Sequence, residues 1–332
     1  MMITRFTILL LLGLGPMVQA QVLPAFGEDR AGTSAFQFLK IPVDPRGAAL
    51  GETAVSNAGD ASALFWNPAL AAQGGRMEVG VASAVYFADV ALHYAAGYSR
   101  VGPVTLGVSI QALDSGEMPV TTEYSGPEGT GETFRLVDVA AGLTVSQALT
   151  DLFSYGVTAK YVRESVAGVS TTAGLLDLGV FYKIGDTGVQ LGVAIRNFGF
   201  QSTPSGSIDR TTIDGPTTEI VFDGAEPPTT FMLGASYRPF VATGQHDLVL
   251  SGQLTNPNDN AERYNVGAEY TWNDLLSLRA GYRFGVDEAN LPSVGAGLLV
   301  PGIGPGVRID YGFTKLERLG SVHRVGINLR LD

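Results

Sequence analysis

The stretch Val104-Thr105-Leu106-Gly107-Val108-Ser109-Ile110-Gln111-Ala112 alternates apolar side chains with small or polar ones. Successive side chains of a β-strand point to opposite faces, so the alternation predicts a strand with one apolar face. Strands of soluble sandwiches average about five or six residues. This pattern runs longer, close to the roughly ten residues that a tilted strand needs to cross a bilayer. The stretch therefore predicts a membrane-spanning strand.

The same alternation returns along the rest of the chain and gives about fourteen strands, an even number of the kind that single-chain bacterial barrels have. The predicted strands span residues 76–86, 89–100, 102–113, 134–147, 153–164, 171–184, 187–197, 229–240, 246–255, 262–272, 275–285, 292–300, 305–313 and 321–331. We therefore predict an all-β fold, a transmembrane antiparallel β-barrel that occupies residues 76–332.

The lengths of the connections support this fold, because such barrels alternate short periplasmic turns with longer extracellular loops. The even-numbered connections are mostly short, whereas the odd-numbered ones include the longest, 114–133 and 198–230. This parity predicts that both ends of the barrel are periplasmic. Aromatic residues near the strand ends are typical of interfacial girdles. These are Tyr86, Tyr98, Phe153, Tyr161, Tyr182, Tyr237, Trp272, Tyr282, Phe284 and Phe313.

Composition narrows the class of protein further. The chain has 43 Gly, no Cys and only 16% charged residues, a mixture typical of a barrel in a bilayer and one that excludes a disulfide scaffold. Apolar runs are all too short for a spanning helix. The formal net charge of −11 argues against a nucleic-acid partner.

The first residues are typical of a secretory signal peptide. An apolar run from Phe6 to Leu14 follows Arg5, and Val18-Gln19-Ala20 forms a cleavage signal. We predict a signal peptide over residues 1–20 and cleavage after Ala20.

Residues 21–75 do not alternate and are predicted to form a plug, or hatch, tucked against or inside the barrel. Asp60 is a candidate N-cap for a short helix that runs through Phe65. Pro68 biases Asn67 away from helical geometry. The segment is therefore predicted to be compact rather than a strand.

Three runs of this segment carry a resemblance to a known family. They are Arg46-Gly47-Ala48-Ala49-Leu50-Gly51, Gly59-Asp60-Ala61-Ser62-Ala63 and Trp66-Asn67-Pro68-Ala69, and the closing His323-Arg324-Val325-Gly326-Ile327 accompanies them. With these runs the chain resembles the PorV/PorQ family of the type IX secretion system, which shares the N-terminal motif with FadL-type transporters. The candidate site residues, for which no ligand is assigned, are Arg46, Gly47, Gly51, Asp60, Asn67, Pro68 and Ala69.

The resemblance implies a fourteen-stranded barrel in the outer membrane of a Gram-negative cell, surrounded by outer-membrane lipid. It implies a non-enzymatic protein that binds or shuttles secreted cargo together with other secretion subunits. The alternative is a FadL-like outer-membrane channel for hydrophobic small molecules. The sequence leaves open which of the two applies, the identity of cargo or ligand, the openness of the lumen and the oligomeric state.

Residues for catalysis are sparse. The three histidines, His93, His246 and His323, are far apart in the sequence, and no zinc or nucleophile motif is present. An outer-membrane hydrolase would have to pair His93, predicted on the lumen side of its strand, with Ser109 or Asp138. A polar lumen residue is the favoured interpretation of His93. We predict no enzyme activity, cofactor or metal.

Charged residues fall into two predicted groups. Strand parity places one group in the lumen, where mutual pairing or plug binding is expected. These residues are Asp138, Lys160, Glu164, Asp177, Arg196, Arg238, Glu269, Arg279, Arg283, Arg308, Asp310, Arg324 and Arg330. The two longest loops form an acidic outer rim, which is either a docking surface for cargo or a solvated surface.

Overall fold

The chain folds into one closed barrel of fourteen antiparallel strands, so the predicted fold class is confirmed. The structure is a computed structural model and describes residues 30–331 apart from 89, 122–124, 126–128, 213–214, 220–221, 240–244, 287, 289 and 301–305. Each strand pairs with its neighbours in the ring, and Val81 of the first strand lies between Ala95 and Ile327 at the closure. No helix in the described part of the chain is both long and apolar enough to cross a membrane.

Every predicted strand has a counterpart in the barrel. The barrel strands are β1 (Met77–Val85), β2 (Ala91–Val101), β3 (Val104–Asp114), β6 (Leu136–Ala148), β7 (Phe153–Val166), β8 (Val169–Lys183), β9 (Val189–Gly199), β12 (Thr230–Tyr237), β13 (His246–Pro257), β14 (Arg263–Trp272), β15 (Leu276–Phe284), β16 (Ser293–Val300), β17 (Val307–Leu316) and β18 (Gly320–Leu331). The two longest loops carry the small sheets of β4 (Met118–Pro119) with β5 (Thr133–Phe134) and β10 (Ile208–Thr212) with β11 (Gly215–Glu219).

The two ends of the barrel differ as the parity predicts. The longest loops, 115–135 and 200–229, lie at one end, called extracellular here. The chain enters β1 and leaves β18 at the opposite end, called periplasmic here. One odd-numbered connection is as tight as the periplasmic turns, because β7 and β8 are joined through Ala167 and Gly168 alone, both with positive φ.

The outer face of the barrel is apolar. On β3, Leu106, Val108 and Ile110 are exposed on this face while their neighbours in sequence point inward. Such a surface is unfavourable in water and suited to lipid, so the strands are of the transmembrane kind. Tyr161, Tyr182, Tyr237 and Trp272 of the predicted girdle are exposed.

Two predicted girdle residues are wrong. Tyr86 packs against the buried interior cluster, and its hydroxyl accepts a hydrogen bond at 2.7 Å from the buried Arg324. Tyr98 is only 3% exposed and points into the barrel, as do Tyr94 and Leu92 on the same strand. The outward positions of β2 include small residues such as Ala95 and Gly97 instead. Both faces of β2 are therefore weakly polar, and parity alone did not show which one faces lipid.

The interior is filled by residues 30–72, which we call the plug. Its short elements are a 3-10 helix (Gln37–Lys40), α1 (Pro45–Ala49), α2 (Ala63–Trp66) and a second 3-10 helix (Pro68–Ala72). The predicted domain boundaries at residues 20 and 75 remain predictions, because residues 1–29, including the predicted signal peptide, lie outside the described residues.

Local sequence explains why these helices are short. The carboxylate of Asp44 accepts a hydrogen bond from the Gly47 N–H at 2.6 Å, and Pro45 occupies the first position of α1. Asn67 is extended (φ −158°, ψ 107°), as predicted from Pro68, and therefore ends α2.

The plug backbone touches the barrel wall where the wall has glycine. A Cβ added at Gly281 would overlap backbone atoms of Leu50 and Gly51. A Cβ added at Gly156 would fall 2.5 Å from the carbonyl carbon of Pro68. These glycines let two backbones approach more closely than side chains would allow.

We expect Gly281→Ala to lower the free energy of unfolding by about 1–3 kcal/mol, since the new methyl group would force the plug away from the wall. The matched control is Gly174→Ala, where a Cβ meets nothing within 4 Å, with an expected change within about 0.5 kcal/mol. The measurement is the temperature at which each purified barrel loses its compact, fast-migrating form in detergent electrophoresis. Equal transition temperatures would show that the close contact does not matter.

Candidate functional site

The candidate site residues are all buried inside the barrel. Their shared property is that each lies at a contact between the plug and the wall or within the plug itself. Arg46 and Asp60 face the wall formed by β14 to β17, which we call the polar half of the lumen. Asn67, Pro68 and Ala69 face β7 and β8 in the opposite, apolar half.

A chain of buried ion pairs joins the plug to the polar half. Arg46 donates two hydrogen bonds to Glu269, from Nε at 2.9 Å and from Nη2 at 2.8 Å. Glu269 also accepts from Arg279 at 2.5 Å, and Arg279 reaches Asp310 at 2.6 Å. Bidentate pairs of this kind are among the stronger and more directional contacts in proteins.

The ion chain returns to the plug at its other end. Arg308 donates to Asp310 at 2.8 Å and forms a second ion pair with Asp60. The chain therefore holds three arginines, Arg46, Arg279 and Arg308, against three carboxylates. Because the charges balance, the six groups remain in the lumen without an unpaired ion, whose burial would be costly.

Asp60 is not the N-cap of α2, so that prediction is wrong. Ser62 occupies the cap position, and Asp60 Oδ1 accepts from the Ser62 N–H at 2.9 Å and the Ser62 O–H at 2.5 Å. The local turn leaves Oδ2 of Asp60 free to pair with Arg308. The sequence indicated a capping role because Asp is common at that position. It predicted Arg308 as a lumen charge but did not show that Arg308 pairs with Asp60.

The two motif glycines serve close packing within the plug and against the wall. A Cβ at Gly47 would lie 2.7 Å from the indole of Trp66, whose Nε1–H donates to Asp44 at 2.6 Å. Gly51 has φ +66°, and a Cβ there would lie 2.7 Å from the backbone nitrogen of Tyr282. Larger residues at either position would separate the motif from its neighbours.

The Asn67-Pro68-Ala69 run fixes the other side of the plug. The Asn67 amide, fully buried, donates to the carbonyl oxygens of Val55 at 2.8 Å and Val180 at 3.1 Å. Its Oδ1 accepts from the Ala69 N–H at 3.1 Å. One side chain thus joins two plug segments and a barrel strand, which explains the residue type at this position.

Further polar contacts hold the plug near the extracellular end. Lys40 Nζ lies 2.8 Å from Asp259, in the β13–β14 loop, and Gln37 Nε2 donates to the same carboxylate at 2.7 Å. Burial alone would raise the pKa of Asp259, but the hydrogen bonds from Gln37 and Lys40 outweigh it and hold that pKa below its usual value. Within the plug, burial would likewise raise the pKa of Glu52, and Arg283, at 2.7 Å, with Arg263 lowers it on balance.

The apolar half of the lumen has a different chemistry. Plug residues Phe36, Leu64 and Phe65 belong to one buried cluster with inward-facing wall residues of β2 to β8. The wall contributes Leu92, Tyr94, Ala96, Tyr98, Leu113, Ala140, Val162, Ala173, Leu175 and Phe181. This difference between the two halves was not predicted from the sequence. The alternation of Tyr94 and Tyr98 with small residues on β2 was the feature that could have indicated an apolar inner face.

A polar cavity of about 460 Å³ reaches the ion chain near the periplasmic end of the plug. Arg46, Asp60 and Arg308 line it from the ion chain, and Glu78 and Arg330, paired at 3.0 Å, line it as well. Cations and anions alternate around it, so the cavity is hydrophilic without a dominant sign of charge.

The lumen charges lie largely as parity predicts. The most deeply buried are Asp138, Asp177, Arg196, Glu269, Arg279, Asp310 and Arg324. Lys160, Glu164, Arg283 and Arg308 are partly buried and bond plug or wall groups inside the barrel. Arg238 and Arg330 are exposed and line the periplasmic cavity.

The structure does not assemble the hydrolase considered above. His93 is exposed on the outer face of β2, where its Nδ1 lies 3.1 Å from Ser83 Oγ, so its predicted lumen position is wrong. Ser109 and Asp138 point inward on the other side of the wall. Among the described residues, no three His, Asp or Glu side chains form a group that could hold a metal ion. Glu123, Glu128 and Asp214 of the predicted acidic rim lie outside the described residues.

No protein-family model matches the sequence, and no curated protein matches it either. The monoaromatic hydrocarbon channel CymD is similar with a TM-score of 0.62 and 16% identity, over 89% of this chain and 97% of that one. The toluene transporter TodX of Pseudomonas putida is similar with a TM-score of 0.61 and 15% identity, over 86% of this chain and 95% of that one. The likeness shows that the chain shares the barrel fold of these two channels and gives no support to the PorV/PorQ branch in particular.

We expect Arg46→Gln to destabilise the protein by about 3–5 kcal/mol, because the change leaves Glu269 short of a buried partner. Adding Glu269→Gln should cost less than the sum of the two single changes, since the two residues interact directly. Urea unfolding of the four proteins measures this coupling. Arg318→Gln, at an exposed pair 3.6 Å from Glu288, is the control with an expected change near zero. Strict additivity would argue against the ion chain.

We expect the stabilising effect of Asp259 to depend on pH. Its pKa is depressed in the folded state, so its contribution is complete above the unfolded pKa of about 3.9 and is lost as the pH falls through the folded pKa. Wild type should therefore unfold at a higher temperature than Asp259→Asn at pH 7, and the difference should shrink below about pH 4. A difference that stays constant down to acid pH would rule out the ion pair as its source.

Proposed function

We propose that this protein is an outer-membrane channel for hydrophobic small molecules that is closed by its plug. The observation that carries the proposal is the buried cluster of apolar side chains on the inner wall of β2 to β8, which the plug covers. Lumens of water-filled barrels are polar. An apolar wall that includes Leu92, Tyr94 and Leu175 favours molecules that leave water readily.

The plug is built in a way that allows movement. The plug contributes one cation and one anion to the ion chain, Arg46 and Asp60, whose charges sum to zero. The wall contributes four charges that are paired among themselves, Glu269, Arg279, Arg308 and Asp310. Withdrawal of the plug therefore leaves two cations and two anions in mutual contact on the wall. This lowers the electrostatic cost of separating the ion chain, because each of its wall charges keeps an oppositely charged neighbour.

The similar solved structures support this function over secretion. Their titles describe a monoaromatic hydrocarbon channel and a toluene transporter. Binding or shuttling of cargo in type IX secretion, the leading interpretation of the sequence, has no structural observation in its favour. Residence in the outer membrane, export through the predicted signal peptide and the absence of enzyme activity are parts of the present proposal.

The test is uptake of labelled toluene and labelled sucrose by Gram-negative host cells with and without the protein in their outer membrane. We expect faster toluene uptake and unchanged sucrose uptake in cells that carry the protein, because a hydrophobic path excludes a polar sugar. A surface proteome from a deletion strain of the source organism is the companion measurement. Unchanged toluene uptake, or loss of surface proteins on deletion, would contradict the proposal and restore the secretion hypothesis.

A further inference from the structure

One buried arginine of the apolar half stands apart from those of the ion chain. Arg196 on β9 is only 4% exposed. The β8–β9 pairing shifts between Leu176 and Leu178, and Asn197 has φ +56°, so Arg196 and Asn197 are both buried rather than alternating. Asp177 accepts the Asn197 N–H at 2.8 Å and stabilises this bulge.

Arg196 has no carboxylate partner. Within the described residues, no carboxylate oxygen lies within 4 Å of its side-chain nitrogens, and its Nε has no acceptor. Asp177 forms its ion pair with Lys160 at 2.5 Å instead. Arg324, another buried arginine without such a carboxylate, donates to three oxygen atoms. A buried cation with so few partners is costly unless something else compensates it.

The plug contacts the guanidinium of Arg196 with two groups, a ring and a carbonyl oxygen. The Phe65 ring lies under the guanidinium, 3.7 Å from its central carbon to the ring centroid. The carbonyl oxygen of Leu39 accepts from Nη2 at 3.2 Å. Tyr94 packs against the edge of the same Phe65 ring at 6.2 Å, and its buried hydroxyl has no hydrogen-bond partner among the described residues. The plug thus offers the wall an aromatic ring and an oxygen acceptor.

The acidic residues of this half make their close contacts with groups other than Arg196. Asp138 and Glu164 face each other across β6 and β7 near the extracellular ends of these strands. Glu164 accepts the backbone N–H of Phe36 at 3.1 Å. Lys160 and Asp177 pair with each other, so the three groups together carry one positive charge. It lies beside the aromatic ring of the plug.

We propose that Arg196 and Tyr94 form a recognition site for an aromatic carboxylate, which occupies the place of Phe65 and Leu39 when the plug moves. This inference rests on the proposed function. The guanidinium donates to the carboxylate and stacks on the ring, and the Tyr94 O–H donates the remaining hydrogen bond. A neutral hydrocarbon uses the ring contact alone and leaves the cation without an anion.

The test uses Trp66 as a reporter, because this plug residue lies 4.9 Å from Phe65 between ring centroids. The chain has two tryptophans, so Trp272→Phe leaves Trp66 as the single tryptophan, which is excited selectively at wavelengths that tyrosine does not absorb. Phenylacetate and toluene are titrated separately into the purified full-length protein. We expect phenylacetate to change the Trp66 emission and Arg196→Leu to weaken its binding about tenfold or more. Toluene binding should change little.

Two variants make the result specific. Arg238→Leu removes an exposed arginine near the periplasmic end and should leave phenylacetate binding unchanged. Arg196→Lys keeps the charge without the planar fork and should bind phenylacetate less tightly than wild type, which covers the case that Arg196→Leu does not fold. Phenylacetate binding that is equal in wild type and the folded Arg196 variant would overturn the inference. Binding of toluene without binding of phenylacetate would also overturn the inference but would leave the proposed channel function intact. Binding of neither compound would contradict the channel function.

Discussion

The interior of this barrel is filled by the plug, whose backbone lies in direct contact with the barrel wall. The rest of the structure depends on this contact. The contact depends on glycine at wall positions such as Gly156 and Gly281, where any side chain would collide with the plug. Close backbone contact excludes water, so each polar group that the plug brings inside needs a partner there. The ion chain and the Asn67 amide provide such partners. The arrangement of the lumen follows from this one constraint.

The two halves of the lumen meet the constraint in different ways. In the polar half, Arg46 and Asp60 extend a set of wall charges that already balance one another. In the apolar half, rings and aliphatic side chains of the plug cover an apolar wall. A plug attached by balanced charges on one side and by apolar contacts on the other can leave the ion chain while its wall charges stay paired. This is why we favour a gated path for hydrophobic molecules over a permanently open pore.

Much of the fold could be predicted from the sequence, because strand alternation and loop parity are local properties. The fourteen strands, the shared end at which the chain enters β1 and leaves β18, and most of the inward charges followed from them. The side of the wall that each residue of β2 faces could not be predicted, because Leu92 and Tyr94 alternate with small residues and His93. The ion-pair partners of Arg46 and Asp60 could not be predicted either, because Glu269 and Arg308 are more than 200 residues away in the sequence. The resemblance singled out the residues of the plug motif, and the secretion role that it implied found no support.

The measurement that tests the gated path most directly is transport through a barrel whose plug is covalently fixed. The hydroxyl oxygens of Thr53 in the plug and Ser251 in the wall lie 2.6 Å apart, and the chain has no cysteine, so Thr53→Cys with Ser251→Cys creates a single possible disulfide. In Gram-negative host cells that carry this variant in their outer membrane, we expect toluene uptake after oxidation to fall to that of cells without the protein and to recover on reduction. Equal transport before and after reduction would show that hydrophobic molecules cross without any movement of the plug.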